Sequence, residues 1–387
     1  MDRELKRIAI IGPVYPYKGG IAHYTGLLCK NLREQFDTQM ISFQMQYPKI
    51  LFRKEQKDFE NNSFEVQDTK YILHTANPFN WGKCARQILA DKPDLVIFQW
   101  WHPYFAPCYR SLLRKLKRGG VRTLFICHNV FPHERFPMDR MLTKMVLKKG
   151  DFFITHSKAD AEDLRSIRPK ALLCQAVHPT YSAFQFQNLS RKEARQRLGI
   201  GEQQQVLLFF GFVREYKGLK HLIAALPEIA KSLPKAHLLI VGDFGKDKQE
   251  YLELIAQNKM EDFLSIYDGY IPDREVEQYF AASDLVVLPY ESATQSGIVQ
   301  IAYGFERPVV ATNVGGLPDV VLDEKTGYLV PPKDSQALAD AIVRFFEEQK
   351  AGEFAENIQK EASRYSWDRM REHICSLWEQ QESSGDF

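Results

Sequence analysis

Residues 206–226 read VLLFFGFVREYKGLKHLIAAL. Five apolar residues of strand length end at a glycine, a short polar stretch carries Arg214 and Lys217, and from Leu219 apolar residues recur at helical spacing. A strand that passes into a helix through so short a loop is half of a βαβ unit, from which parallel sheets covered on both faces are built. Two cations at the carboxyl end of such a strand suit an anionic ligand, Arg offering a planar fork and Lys a point charge. A solvated basic loop accounts for the same residues.

The alternation continues on both sides of this stretch. Downstream, strand-length runs at 237–241, 263–267, 285–288 and 309–312 alternate with helical patterns at 251–257, 273–281 and 298–305. Upstream, runs at 7–11, 95–98, 123–127 and 152–155 alternate with helical patterns at 21–32, 106–116, 138–147 and 158–167, and 171–177 closes that half. The expected fold is α/β, with two Rossmann-like domains facing a central cleft and ligands outside the carboxyl ends of the strands. The expected domains are 1–184, a linker at 185–193 without apolar periodicity, 194–366, and an amphipathic helix with a tail at 367–387 that crosses back to the first domain. The polar, weakly periodic stretch 47–68 reads as a mobile insertion.

Composition narrows the function classes. With 387 residues, 44% hydrophobic and 26% charged, the chain is an ordinary globular protein of about two domains, which excludes disordered, collagen-like and coiled-coil classes. The six cysteines stand far apart without metal-ligand or disulfide-framework spacing, and no run is long enough for a signal core or a membrane span. The expected setting is therefore cytoplasmic. Net charge is only +2, but up to residue 190 there are 29 Lys and Arg against 17 Asp and Glu, and after it 22 against 32. So basic a first half points to an anionic surface. In RSLLRKLKRGGVR, Arg110, Arg114, Lys117 and Arg118 share one helical face, with Lys144, Lys148 and Lys149 nearby. Such a face suits an anionic membrane and a peripheral place on its inner side, or is simply solvated. Nucleic acid is not expected, since no basic and aromatic interleaving accompanies the charge.

Near the start, Gly19 and Gly20 directly precede a helix, where a backbone without side chains lets a phosphate approach exposed N–H groups. A plain helix-entry turn is the alternative reading. The order of this Gly pair, GFVREYKGLKHLIAAL, LLIVGDFG, DGYIPDREVEQYFAASDLVVLPY, RPVVATNVGGLPDVV and KTGYLVPPKD resembles the retaining nucleotide-sugar glycosyltransferases of family 4, with the GT-B fold. The resemblance spans nearly the whole chain and is most specific in the C-terminal half. It implies a nucleotide-diphosphate sugar as co-substrate, with no cofactor and no metal. Arg214 and Lys217 would hold the diphosphate, Gly19 and Gly20 would close over it, and backbone near Tyr270 and Ile271 would meet the base. Preorganised positive charge at the departing diphosphate is the catalytic element this implies.

The sequence departs from the family pattern in two places. The arginine that usually follows the loop's first Gly is replaced by Phe212, and Arg214 stands two residues later. The two family glutamates would fall at Ala293 and Ile301. Thr294, Gln295, Ser296 and the Gly297 N–H are the expected substitutes at the donor sugar, with Glu291 able to swing in. His128, at a strand's carboxyl end where the family has a functional His, is expected to donate to a sugar hydroxyl or polarise the reacting region. Trp100, Trp101, His102 and Tyr104 follow the strand 95–98 and are expected to touch the acceptor, a glycan, a lipid-linked sugar or a small molecule. The rival to an enzyme is a non-catalytic subunit of the same fold that binds sugar or nucleotide. A nicotinamide dehydrogenase is disfavoured because no strand leads into GxGxxG.

Overall fold

The apolar runs are strands buried from both sides: all six residues of Leu95–Trp100 are buried, as are all four of Phe152–Thr155, of Leu285–Leu288 and of Val309–Thr312. Parallel strands covered by helices on both faces require this pattern. The computed structural model describes residues 4–52, 55–59, 62–132 and 137–383. Its contacts divide the chain into unit 1, Met1–Val177 with Ser366–Phe387, and unit 2, His178–Tyr365.

In unit 1 the elements run β1 Arg7–Ile11, α1 Gly20–Leu32, β2 Asp37–Met45, β3 Lys70–His74, α2 Pro78–Ala90, β4 Leu95–Trp100, α3 Ala106–Arg118, β5 Arg122–Cys127, α4 Asp139–Leu147, β6 Phe152–Thr155, α5 Lys158–Ile167 and β7 Leu172–Gln175. The sheet is parallel, in the order β3-β2-β1-β4-β5-β6-β7. Unit 2 runs α6 Arg191–Leu198, β8 Gln205–Phe210, α7 Leu219–Ser232, β9 Ala236–Gly242, α8 Lys248–Gln257, β10 Leu264–Asp268, α9 Asp273–Ala282, β11 Leu285–Leu288, α10 Gly297–Gly304, β12 Val309–Thr312, β13 Gly327–Val330, α11 Ser335–Glu347 and α12 Ala351–Lys360. Its parallel sheet has the order β10-β9-β8-β11-β12-β13. In both sheets the order reverses beside the first strand, between β1 and β4 and between β8 and β11. A doubly wound sheet opens its ligand crevice at that point.

The last helix, α13 Trp367–Ser383, belongs to unit 1. The Asn31 amide donates to Asp368, Arg371 pairs with Glu34, and Trp367 meets the Tyr24 ring edge-on at 5.1 Å.

Several expectations need correction. The structure adds β2, β3, α2, α6, β13, α11 and α12 to the elements read from the sequence. The division falls at Val177, seven residues before the expected boundary. The stretch 185–193 is no free linker: Gln187 and Leu189 donate their N–H groups to Glu277, a fully buried carboxylate, and Ser190 with Glu193 forms the capping box of α6. A buried carboxylate needs such donors, which holds the segment against α9. Within 47–68, of which 53–54 and 60–61 lie outside the described residues, Phe64 and Val66 are buried and Gln56 bonds both backbone groups of Tyr47.

Candidate functional site

The loop after β8 sits at the point of strand reversal in unit 2. Its backbone turns at Gly218, where φ is +65° and a Cβ would lie 1.9 Å from the Pro289 carbonyl oxygen, so only glycine fits between the loop and the end of β11. Lys217 folds back over the first glycine, its Nζ 2.9 Å from where a Cβ on Gly211 would stand and 5.6 Å from the Tyr290 ring centre. Burial lowers its pKa to about 8, and the neighbouring Arg214 guanidinium adds to the effect. The lysine is still charged at neutral pH, and an anion at its head would restore the charge fully. Arg214 donates from Nη1 to the Val213 carbonyl at 2.8 Å, with its guanidinium 5.5 Å from the Phe212 ring. The expected cation pair therefore forms one cluster at the carboxyl end of β8.

The loop after β11 is tied to this one. Glu291 donates its N–H to the Tyr216 carbonyl at 2.7 Å, and its carboxylate meets Lys220 at 3.0 Å, His221 at 2.9 Å and Lys333 at 2.9 Å. Its pKa falls to about 2, chiefly through the Lys333 contact and then that of His221. Glu291 is thus the clamp between two loops, and the expectation that it swings toward a ligand is corrected by those three partners. Beyond it, Thr294, Gln295, Ser296 and Gly297 are all half-buried at the start of α10. Ser296 caps that helix, its Oγ accepting from the Ile298 N–H at 3.3 Å and lying 3.4 Å from the buried Tyr290 hydroxyl. Ala293 is buried, and Ile301 is 7% exposed. Tyr270 and Ile271 follow β10, with Tyr270 37% exposed.

In unit 1, Gly19 is the N-cap of α1 with φ +106°, and a Cβ on either Gly19 or Gly20 would meet nothing within 4 Å. The helix start is open. His128 follows β5 and is 3% exposed; its Nε2 lies 2.7 Å from Gln99 Oε1, so Nε2 carries the proton and donates. The Tyr24 ring stands edge-on to it at 4.7 Å.

The aromatic group after β4 is only partly as expected. Trp100 is wholly buried and donates from Nε1 to the Val130 carbonyl, so it is core and cannot meet an acceptor. Both faces of β4 are covered, so its last residue is packed into the core like the rest of the strand. Trp101 donates to the Tyr47 hydroxyl at 3.0 Å, Tyr104 shares a hydrogen bond with Thr75 at 2.9 Å, and His102 accepts from the Tyr104 N–H through Nδ1. All three are half-buried at the carboxyl edge of the sheet. Tyr47 and Thr75 join this cluster from just after β2 and β3, strands that the sequence patterns left unread. Lys333 and Tyr290 were likewise missed. Both stood in quoted blocks, Tyr290 at the end of LVVLPY directly after the strand and Lys333 in KTGYLVPPKD, but neither block by itself sets their partners.

Among the described residues no group of three or more His, Cys, Asp or Glu is placed to hold a metal ion, and no helix is long and apolar enough to cross a membrane.

Comparison with known proteins places this geometry. Residues 18–172 match the profile of "Glycosyltransferase Family 4" and residues 204–348 that of "Glycosyl transferases group 1", together more than half of the chain. D-inositol 3-phosphate glycosyltransferase of Mycobacteroides abscessus is 30% identical over 244 residues, which is 61% of this chain and 53% of that protein. The chain spans about half the length of the curated relatives it matches. Among solved structures, Anabaena HepE in complex with UDP superposes with a TM-score of 0.74 at 20% identity, covering 97% of this chain and 100% of that one. Sucrose-phosphate synthase from Thermosynechococcus elongatus gives 0.72 at 19% identity, covering 98% and 100%. At those identities the likeness establishes the fold, two Rossmann-like domains of GT-B type. With both halves matched in order, the chain belongs to the family 4 glycosyltransferases.

Proposed function

We propose that the protein transfers a sugar from a nucleotide-diphosphate sugar to an acceptor hydroxyl with retention at the anomeric carbon. The observation that carries this is the Arg214 and Lys217 cluster at the point of strand reversal in unit 2, beside the Ser296-capped start of α10. Two cations held before any ligand arrives stabilise the negative charge that grows on a departing diphosphate, and need no reorganisation as it forms. The acceptor hydroxyl attacks on the leaving-group face, the bond from the anomeric carbon to the diphosphate oxygen breaks, and that oxygen takes the hydroxyl proton. No enzyme nucleophile is needed, unlike the paired carboxylates of retaining glycosidases. Gln295 and Ser296 take the place of the absent glutamates at the sugar, with weaker contacts because they carry no charge. His128 acts at the reacting region, with Gln99 fixing its ring. HepE has been crystallised with UDP and with UDP-glucose, which makes uracil the first base to try.

The test is incubation with UDP-, GDP-, ADP- and dTDP-sugars, scoring nucleotide release and then the anomeric configuration of the product. Release of one nucleotide with an axial donor giving an axial product supports the reading. Inversion overturns the stereochemistry, and no release from any donor with tight nucleotide binding favours the non-catalytic rival. We further propose that turnover is metal-independent, since protein cations stand where a metal would neutralise the phosphates. Activity should survive excess EDTA; complete loss restored only by magnesium or manganese refutes it.

A further inference from the structure

The charge excess of unit 1 is concentrated on one layer. Helices α2, α3 and α4 pack side by side in chain order and together carry nine Lys and Arg against a single acid, Asp139, which is buried. Of the other helices of unit 1, α1 carries a single Lys and no acid, α5 has three acids among ten residues, and Glu and Asp accompany the arginines of α13. Arg86, Arg110, Arg114, Arg118, Arg140 and Lys144 are exposed, and none has an ion-pair partner among the described residues. Lys117, expected on the same face, is instead engaged by Asp151 at 2.6 Å. The cations interleave between helices: Lys115 Nζ of α3 and Arg86 Nη1 of α2 both come within 4 Å of where a Cβ on Gly82 would stand. Ordinary protein surfaces intersperse the two signs.

An apolar margin accompanies this layer. Phe79, at the start of α2, is 94% exposed, and Met138 and Met141, at the start of α4, are 53% and 60% exposed. Ile50 and Leu51, in the loop after β2, are 85% and 63% exposed. All of them lie where the chain leaves the carboxyl ends of β2, β3 and β5, so they share one rim of the sheet. Cations above and large apolar side chains at one edge are the two contacts a bilayer surface offers, phosphates and then the acyl boundary. A soluble polyanion would use the first and leave the second exposed.

We propose that the α2–α3–α4 layer of unit 1 docks on an anionic phospholipid bilayer, with Phe79, Met138, Met141 and the loop at 50–51 at the acyl boundary. The chain should sediment with vesicles of phosphatidylcholine and phosphatidylglycerol at low salt, not with phosphatidylcholine alone, and should be released at high salt. Reversing Arg86, Arg114 and Lys144 to Glu should weaken partitioning by roughly a hundredfold or more. A Phe79→Asp, Met141→Asp variant should weaken it while leaving the salt dependence in place. Circular dichroism melts of both variants, unchanged from the parent, show that folding is not the cause. Equal binding to neutral and anionic vesicles, no binding to either, or binding indifferent to the charge reversals overturns the proposal. So does capture by heparin or duplex DNA that anionic vesicles fail to displace, since the layer would then belong to a soluble polyanion.

Discussion

Lys217 carries the sharpest expectation at the scale of single residues. Its pKa is depressed to about 8 by burial and by Arg214, so its charge is present below that pH and lost above it. Affinity for a nucleoside diphosphate should therefore fall as pH rises through about 8. The nucleotide's own last ionisation acts in the opposite sense at lower pH, so the measurement is calorimetric titration of parent and Lys217→Arg side by side. The arginine stays charged throughout and should abolish the alkaline fall. Parallel pH profiles would remove Lys217 from the phosphate site. Replacing either Arg214 or Lys217 with Ala should cost about 2–4 kcal/mol in kcat/KM, the range for a lost donor at a developing anion. Unchanged turnover and nucleotide affinity in both would refute the assignment. These two residues were legible in the sequence because a strand, a glycine and a helix fix where the loop between them stands. Trp100 was not, because whether a residue at a strand's last position faces core or edge depends on the sheet's pleat and its neighbours. Glu291 was misread for a related reason: all three of its partners, Lys220, His221 and Lys333, come from distant parts of the chain.

Among the elements, the start of α10 and the loop before it are where the proposed reading puts the donor sugar. Glu291 joins the β11 loop to the head of α7 and to Lys333, and its depressed pKa sets the sign of its contribution. Stability from this network is fully present above the ordinary carboxyl value of about 4.3 and is lost as pH falls from there through about 2. Glu291→Gln should destabilise unit 2 by about 1–2 kcal/mol at neutral pH, a modest figure because the cations are partly exposed. The difference from the parent should narrow below about pH 4. Urea unfolding at neutral and acid pH measures both. If the variant instead lost turnover with stability intact, Glu291 would be touching donor, and the clamp reading would fail. Ser296→Ala removes the cap of α10 and should cost about 1 kcal/mol, with donor KM rising as the helix start loosens. The same elements mark the limit of sequence reading. α10 was legible from its apolar spacing, whereas β2, β3 and α2 were not. Their stretches mix polar residues into the pattern, and tertiary packing supplies the burial that periodicity did not announce. The aromatic cluster after β4 depends on the carboxyl ends of two of them, β2 and β3, through Tyr47 and Thr75 just beyond.

For the whole molecule, the question is what each unit contributes. The fold class was legible because the βα alternation repeats over the full chain, and the return of α13 to unit 1 follows from an amphipathic pattern placed after the second half is complete. The placement of the 178–190 segment with unit 2 was not legible, since it depends on partners many residues away: Tyr365 and Gln300 carbonyls for Thr180 and Tyr181, Gly304 for Gln185, and the buried Glu277 for Gln187 and Leu189. The Arg214 and Lys217 cluster is built from residues of unit 2, so on the proposed reading a nucleoside diphosphate should stabilise that unit first. At a hundredfold excess over Kd the linkage amounts to about 2.7 kcal/mol. Hydrogen exchange with and without UDP reads this unit by unit, because amides of separately opening regions report their own free energies. Slowed exchange should centre on β8, β11 and the N-terminal turns of α7 and α10, and the strands β5 to β7 of unit 1 should be little affected. The same experiment in EDTA should give the same pattern. Protection confined to unit 1, or dependent on added magnesium, would place the nucleotide elsewhere and remove Arg214 and Lys217 as its holders.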